Sequence, residues 1–298
     1  MPPTPMDRPL AIATNLLDRA LRRRLAGDLR GALGRGELAL HYQPRIRLSD
    51  GQRTGAEALL RWHHARRGEV PPATFIPLAE GSDLIVAIGG WVLRQAAADA
   101  ARIPALGRVS VNISARQIAA GALPGQVDAA LAESGLPPER LELELTESLL
   151  LAEAPEVAAM LHGLRDRGIA LALDDFGAGY ASFGRLRRLP FTTLKLDHSL
   201  VANLPEDAAD TAILRAIRDL GRALDLRVVA EGVERPEQRD ALIGLGFEEA
   251  QGYLFGRPMP LDELRGLATP LAAIRKSPTV TALCPLPESP SSARASLA

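Results

Sequence analysis

Polar side chains lie at or near the ends of seven hydrophobic runs in this sequence, and each is of a type that binds metal ions or phosphate groups. The runs and their residues are Glu57 in GAEALLRW, Asn112 in SVNIS, Glu144 in LELELTES, Asp174 and Asp175 in ALALDDFG, Lys195 in TLKLD, Glu231 in VVAEGVE and Gln251 in EEAQGYLF. A carboxylate taken out of water must be paired or must coordinate a metal ion. Independent surface charges would not repeatedly fall at strand ends, so the pattern indicates one shared site.

The alternation inside these runs predicts which way the side chains face. In LELEL the three leucines share one face of a strand, and Glu142 and Glu144 share the other. Lys195 lies between two leucines in the same way. In a barrel of parallel strands the leucine face would pack against outer helices. The polar face would then point into the barrel mouth, where such folds keep their active sites.

Helical and strand patterns alternate from about residue 24 to residue 269. One amphipathic helical pattern begins at Pro155 and ends before Gly168, and another begins at Pro236 and ends before Gly246. Eight strand candidates over roughly 245 residues predict an α/β fold of the (β/α)8 TIM-like barrel type, which is typically about 250 residues long. A doubly wound open sheet is the alternative, but it would gather its ligands at a single switch point.

Composition limits the class of protein and the domain organisation. The chain of 298 residues is 47% hydrophobic and 24% charged with a net charge of -1, which is typical of a soluble protein and gives no basic surface for duplex nucleic acid or a membrane. The single cysteine, Cys284, fits a reducing compartment, and no stretch reaches the roughly 18 apolar residues of a membrane span. We expect a cytoplasmic protein with a lead-in helix (1–25), a barrel (26–270) and a disordered Pro/Ser-rich tail (271–298).

The polar residues predict a site for divalent cations. Five carboxylates and one amide would meet at the mouth: Glu57, Asn112, Glu144, Asp174, Asp175 and Glu231. Such a cluster repels itself unless cations neutralise it, and Mg²⁺ and Mn²⁺ prefer oxygen ligands. Two ions roughly 3.5–4 Å apart are the usual arrangement for displacement at phosphorus. Lys195 suits a nucleophilic water or a phosphoryl oxygen, and Arg61 shares the parity of Glu57 and suits a phosphate.

Seven motifs together resemble the EAL-domain family of cyclic di-GMP phosphodiesterases, which open the cyclic dinucleotide to linear 5'-pGpG. The motifs are, in order over about residues 26–267, EALLRW, VNIS, ELTES, DDFGAGY, LKLD, EGVE and QGYLFGRP. The resemblance implies a (β/α)8 barrel whose first strand runs antiparallel to the others. It also implies a homodimer, with a sensory or signalling protein as a further candidate partner.

The resemblance assigns a role to each residue of the site. It implies that one metal ion is held by Glu57, Asn112, Glu144 and Asp174, and that Asp174 bridges to a second ion completed by Asp175 and Glu231. Lys195 would contact the attacking water, Gln251 would orient the metal shell and Arg61 would bind a substrate phosphate. Glu147 and Glu234 would brace the loop after the strand that carries Asp174. Whether Lys195 or a carboxylate is the formal base stays open.

Other interpretations remain at this stage. Taken alone, Asp174 and Asp175 could cap a helix, and Lys195 could belong to a buried ion pair. His63 and His64 invite a transition-metal interpretation, but their arginine-rich neighbours favour a solvated turn. For the whole chain, the alternatives to a hydrolase are a non-hydrolytic cyclic di-GMP receptor that acts through a protein partner and an enolising barrel metalloenzyme.

Overall fold

The computed structural model describes residues 21–146, 155–177 and 183–267, with the backbone alone for residues 183–185. Within these ranges the strands are β1 (Leu38–Arg47), β2 (Arg53–His64), β3 (Gly68–Val70), β4 (Arg108–Asn112), β5 (Leu141–Thr146), β6 (Ala170–Phe176), β7 (Thr193–Leu196), β8 (Arg227–Ala230) and β9 (Glu249–Gln251). The helices are α1 (residues 21–32), α2 (Pro72–Glu80), α3 (Leu84–Arg102), α4 (Ala115–Ala119), α5 (Leu123–Ser134), α6 (Pro155–Asp166), α7 (Phe183–Arg188), α8 (Ser199–Ala202), α9 (Ala208–Ala223), α10 (Pro236–Leu245) and α11 (Leu261–Gly266).

Eight of the strands in the described part of the chain close into a barrel. Going round it, β1 pairs with β2, and β4 to β9 follow in chain order until β9 pairs back to β1. The pairs from β2 to β9 around the barrel are parallel, whereas β1 is antiparallel to both of its neighbours. The predicted barrel and its reversed first strand are therefore confirmed. The short β3, which the sequence pattern did not predict, pairs with the last residues of β2.

Strand β5 shows how the alternating sequence builds the barrel wall. Its two faces are both buried: the exposed fraction is zero for Leu141, Leu143, Leu145 and Glu142, and 1% for Glu144. A strand can bury both faces only where helices cover one side and other strands enclose the other, as in a parallel barrel. The leucines belong to the hydrophobic core, and the glutamates lie in ion networks inside the barrel.

Helix α3, with 19 residues, is the longest helix in the part of the chain that the structure describes. By length and composition it is the one described helix that could cross a membrane, which corrects the expectation that no stretch is apolar enough. In this fold its apolar residues pack inward. Ile88, Leu93 and Ala97 are among its buried positions, and the helix contacts β4 and α5.

A buried ion network fills the end of the barrel opposite the mouth. Glu142 Oε1 accepts hydrogen bonds from Arg45 Nη1 at 2.6 Å and from Ser110 Oγ at 2.8 Å. Its Oε2 accepts from Thr193 Oγ1 at 2.9 Å and from Arg227 Nη2 at 3.4 Å. Because these partners come from four different strands, the network ties the barrel together across its interior.

Parts of the predicted domain organisation fall outside the described residues. The lead-in helix predicted for residues 1–25 is described from residue 21, where α1 is helical. The tail predicted for residues 271–298 and the loop residue Glu147 lie outside the described ranges. The three-part division of the chain therefore stays a prediction.

Candidate active site

Lys195 is the centre of the polar cluster in the barrel mouth. Its side chain is 1% exposed, and within the described part of the chain four carboxylates from four strands or strand ends surround its Nζ atom. The distances from Nζ are 2.7 Å to Glu144 Oε2, 2.8 Å to Glu231 Oε1, 3.1 Å to Asp174 Oδ1 and 3.6 Å to Glu57 Oε2. The residues predicted from strand ends far apart in the chain thus meet at one point.

Two amides hold the carboxylate of Glu57. Asn112 Nδ2 donates to Glu57 Oε1 at 2.7 Å, and Gln251 Nε2 donates to Glu57 Oε2 at the same distance. Gln251 Nε2 also contacts Gln43 Oε1 at 3.1 Å. Both amides therefore join the cluster and fix the orientation of a carboxylate. Gln43 is a member of the network that the sequence analysis missed, although it ends the first predicted strand, Ala39 to Gln43; in the structure β1 continues beyond it to Arg47.

Asp174 and Asp175 lie at an irregularity in β6. The ladder between β6 and β7 passes from Leu173–Leu194 to Phe176–Leu196, so β6 contains one extra residue there. Asp175 has a φ of 56°, which is uncommon for a residue other than glycine. Neighbouring residues of a regular strand face opposite ways, but a bulge can redirect a side chain. Asp174 is buried beside Lys195, and Asp175 is exposed.

The shifted pKa values show that one lysine does not balance the cluster. Burial raises the pKa of Glu144 well above its usual value, and the charge of Glu57 adds to the effect. Burial also raises the pKa of Glu231 to about 8, against the attraction of Lys195. The pKa of Asp175 is raised as well, by partial removal of its carboxyl group from water and by the neighbouring charge of Asp174. By contrast, Lys195 and the two amides outweigh burial and lower the pKa of Glu57.

The chemistry of this cluster fits divalent cations. In the described ranges no three acidic or histidine side chains form a ready ligand group, and the Lys195 ammonium lies between the carboxylates instead. Buried Glu144 Oε1 has no hydrogen-bond partner among the described residues. Carboxylate oxygens are the ligands that Mg²⁺ and Mn²⁺ prefer. The unused oxygen and the raised pKa values both indicate that the cluster can accept more positive charge.

Two cavities open beside the cluster. The larger, of about 750 Å³, includes Arg61, Asn112 and many apolar side chains in its wall. The second, of about 490 Å³, is lined by the carboxylates Glu57 and Glu231 and by His198, Arg235 and Tyr253 among others. Leu59 borders both cavities. The two spaces therefore flank the carboxylates and could hold the two sides of a bulky ligand.

The remaining predicted site residues lie around these cavities. Arg61 Nε is 3.8 Å from Glu69 Oε1, and the residue lines the larger cavity, where a phosphate could reach it. Glu234 is exposed at the second cavity, and its backbone N–H donates to Gln238 Oε1 at 2.8 Å. Residues 178–182, in the loop that Glu234 is predicted to brace, lie outside the described ranges, as does Glu147.

The interpretation of His64 as part of a solvated turn is wrong. β2 continues through this residue, and the buried ring lies with Nε2 3.2 Å from Asp28 Oδ2 on α1. Its Nδ1 accepts a hydrogen bond from the backbone N–H of Arg66. His64 therefore joins α1 to the barrel, whereas His63 is exposed.

The fold and the site define a closed α/β barrel protein with a reversed first strand and an acidic mouth. Comparison with known proteins gives the family. The family model described as the EAL domain matches residues 26–258, and the chain belongs to this family. Phosphodiesterases of this family depend on divalent cations.

Relatives with long additional segments share this domain. The bifunctional diguanylate cyclase/cyclic di-GMP phosphodiesterase MucR of Pseudomonas aeruginosa is 44% identical over 245 residues, which cover 80% of this chain and 36% of MucR. An uncharacterized signaling protein of Caulobacter vibrioides is 47% identical over 243 residues, 82% of this chain and 30% of that protein. The chain thus spans about a third of the length of these relatives.

Solved structures support the same assignment. The PaMucR phosphodiesterase in complex with c-di-GMP superimposes with a TM-score of 0.77 at 43% identity, covering 81% of this chain and 99% of that one. The EAL domain of Mycobacterium smegmatis DcpA gives a TM-score of 0.67 at 33% identity, covering 81% of this chain and 100% of that one.

Proposed function

We propose that this protein is a metal-dependent phosphodiesterase that hydrolyses cyclic di-GMP to linear 5'-pGpG. The observation that carries the proposal is the convergence of Glu57, Glu144, Asp174 and Glu231 within 3.6 Å of Lys195 Nζ at the barrel mouth. MucR, whose name includes this phosphodiesterase activity, is 44% identical over the matched region.

The cofactors in this proposal are two divalent cations, Mg²⁺ or Mn²⁺. Glu57, Asn112, Glu144 and Asp174 would hold one cation, and Asp174, Asp175 and Glu231 would hold the other. When bound, two such cations lower the pKa of water and neutralise charge at the phosphate that is attacked. The excess of carboxylates over cationic groups around Lys195 supports this assignment, because the cluster is otherwise self-repelling.

The chain's own residues position the substrate and move the proton. The Lys195 ammonium, completely buried and in contact with Glu231, would hold the attacking water by donating a hydrogen bond to its oxygen. A carboxylate of the cluster, such as Glu231 with its Oε1 2.8 Å from Lys195 Nζ, would accept the proton that the water loses. Arg61, in the wall of the larger cavity, would bind a phosphate oxygen, and Gln251 would keep Glu57 oriented.

The oligomeric state, the location and the regulation of the protein are also part of the proposal. The EAL family implies a homodimer in the cytoplasm, and a sensory or signalling protein would supply the regulatory input. A non-hydrolytic receptor is the competing function. Receptors of that kind typically lack some of the acidic positions, and each acidic position predicted from the resemblance is present in this sequence.

Product analysis tests the proposal directly. Purified protein is incubated with cyclic di-GMP and either Mg²⁺ or Mn²⁺, with EDTA in a parallel reaction, and the products are identified by mass spectrometry. We expect linear pGpG in the presence of either cation and none with EDTA. Binding of cyclic di-GMP without any pGpG in either metal would favour the receptor and reject the hydrolase.

A further inference from the structure

His198 lies on the wall of the second cavity, two residues beyond the end of β7 and three residues beyond Lys195. Its side chain is 74% exposed, so the ring is open to a ligand that enters the cavity. Glu57 and Glu231 line the same cavity, and their side chains are only 10% and 21% exposed. A molecule that reaches the carboxylates and extends into this space will therefore meet His198.

The neighbouring Asp197 fixes the orientation of the His198 ring. His198 Nδ1 lies 3.0 Å from Asp197 Oδ2, and Asp197 Oδ1 accepts hydrogen bonds from the N–H and the hydroxyl of Ser199. Burial acts to raise the pKa of Asp197, but these hydrogen bonds outweigh it and lower the pKa. An ionised carboxylate can only accept, so Nδ1 carries the proton in this contact. In the tautomer with the proton on Nδ1, Nε2 is a hydrogen-bond acceptor.

Gly232 keeps His198 close to the catalytic loop after β8. It has a φ of +71°, and a Cβ atom built on it would lie 2.5 Å from His198 Cβ. Any larger residue at position 232 would push the two loops apart. The close contact places His198 beside Glu231, which directly precedes the glycine. Within the described part of the chain, no hydrogen bond occupies His198 Nε2.

We propose that His198 is a specificity-determining residue that recognises a guanine base of the substrate. This inference rests on the proposed function. The carboxylates and Lys195 would hold the reacting phosphate on the barrel axis, so the cavity that leads outward to His198 takes the nucleoside attached to it. The Watson–Crick edge of guanine carries two donors, N1–H and the 2-amino group. Adenine has an unprotonated N1 and a C2–H at these positions. Nε2, as an acceptor that faces the N1 and C2 positions, would accept a hydrogen bond from guanine and would meet no donor from adenine, whose amino group is at C6.

The test compares cyclic di-GMP with cyclic di-AMP for the wild type and three variants. His198→Phe keeps a planar ring and removes the acceptor, whereas His198→Gln keeps a carbonyl acceptor at a similar reach. His162→Phe is the matched control, because His162 is exposed on α6 in the outer layer. The measurements are kcat and KM for both dinucleotides, the dissociation constants in EDTA, and the melting temperature of each variant.

We expect the preference for cyclic di-GMP to fall roughly tenfold in His198→Phe, as the loss of one hydrogen bond predicts. The loss should appear in KM, and His198→Gln should recover most of it. An unchanged preference in His198→Phe, or equal losses on both dinucleotides, would overturn the inference and leave the phosphodiesterase intact. If the wild type hydrolyses neither dinucleotide, the proposed function fails. In that case the dissociation constants for the two dinucleotides test the role of His198. Equal affinity of the wild type for both dinucleotides would reject the proposed role.

Discussion

Glu142 and Glu144 lie two residues apart on the inward face of β5, yet their pKa values are displaced in opposite directions. Burial acts to raise both. For Glu142 the arginines, with Arg45 the strongest, outweigh burial and lower the pKa to about 2. For Glu144 the charge of Glu57 adds to burial, and Lys195 only partly compensates. Strand β5 therefore places the ionised Glu142 at one end of the barrel. At the other end it places Glu144, whose ionised form added cations would stabilise.

Replacing Glu142 with glutamine should destabilise the protein and change its response to acid. The folded-state pKa of about 2 is below the usual value of 4.5, so the ionised group contributes stability above pH 4.5 that is lost as the pH falls towards 2. The shift corresponds to about 3 kcal/mol at pH 7. Urea unfolding of wild type and Glu142→Gln should differ by about this amount at pH 7 and progressively less between pH 4.5 and pH 2.

Glu133→Gln is the control for that series, because Glu133 is exposed on α5. It should change the free energy of unfolding by less than about 0.5 kcal/mol at any of these pH values. A Glu142→Gln difference that stays constant down to pH 2 would show that the arginines do not hold Glu142 ionised.

Replacing Lys195 with methionine should remove activity and also stability. The carboxylates around Nζ would lose their buried counter-ion, which costs about 3–5 kcal/mol for a broken buried pair. Mn²⁺ should then raise the melting temperature of Lys195→Met more than that of the wild type, because the cation supplies the missing charge. Thermal unfolding with Mn²⁺ and with EDTA measures both effects. Arg116→Met, which breaks an exposed ion pair with Asp83, should lose less than about 1 kcal/mol.

Asp174→Ala should abolish turnover of cyclic di-GMP. In the proposed scheme its carboxylate is shared by both cations, so the expected loss in kcat is at least roughly 1000-fold. Asp166→Ala, at an exposed position of α6, should keep wild-type turnover. Release of pGpG is followed by chromatography at saturating substrate and cation. Hydrolysis at a wild-type rate in Asp174→Ala would refute the two-cation scheme.

Asn112→Ala should weaken cation binding more than it weakens folding. The amide orients Glu57 through a 2.7 Å hydrogen bond, and the loss of such an orienting group typically reduces metal affinity by about 10–100-fold. Calorimetric titration with Mn²⁺ gives the affinity. Asn203→Ala removes an exposed amide that contacts Asp210, and its Mn²⁺ affinity should be that of the wild type. Equal affinities for all three proteins would assign Asn112 a role outside cation binding.

The mouth of the barrel could be predicted from the sequence because its residues follow a local rule. Glu57, Glu144 and Lys195 each lie between apolar residues, so alternation alone assigns them to the interior. Strand direction adds that the ends of parallel strands meet at one edge. The resemblance to the EAL family supplied the reversed first strand, which alternation does not encode.

Other features depend on contacts between distant segments. Arg45, Arg108 and Arg227 surround Glu142 from three strands, and no local pattern identifies their common partner. His64 has a polar neighbourhood in the sequence, yet α1 covers it and Asp28 bonds to it. The exposed ring of His198 follows the end of β7 by two residues, but its relation to Gly232 is visible only when both loops are in place.

The reversal of β1 has a consequence for how the barrel is entered. Leu38, at the start of β1, is paired with Trp62 near the far end of β2, so the polypeptide arrives at the barrel on its acidic side. Helix α1 is anchored there through Asp28 and His64, three residues after Arg61. If β1 ran parallel to the other strands, this helix would lie at the end of the barrel opposite the mouth. In this fold a displacement of α1 acts directly on β2, the strand that carries Glu57 and Arg61.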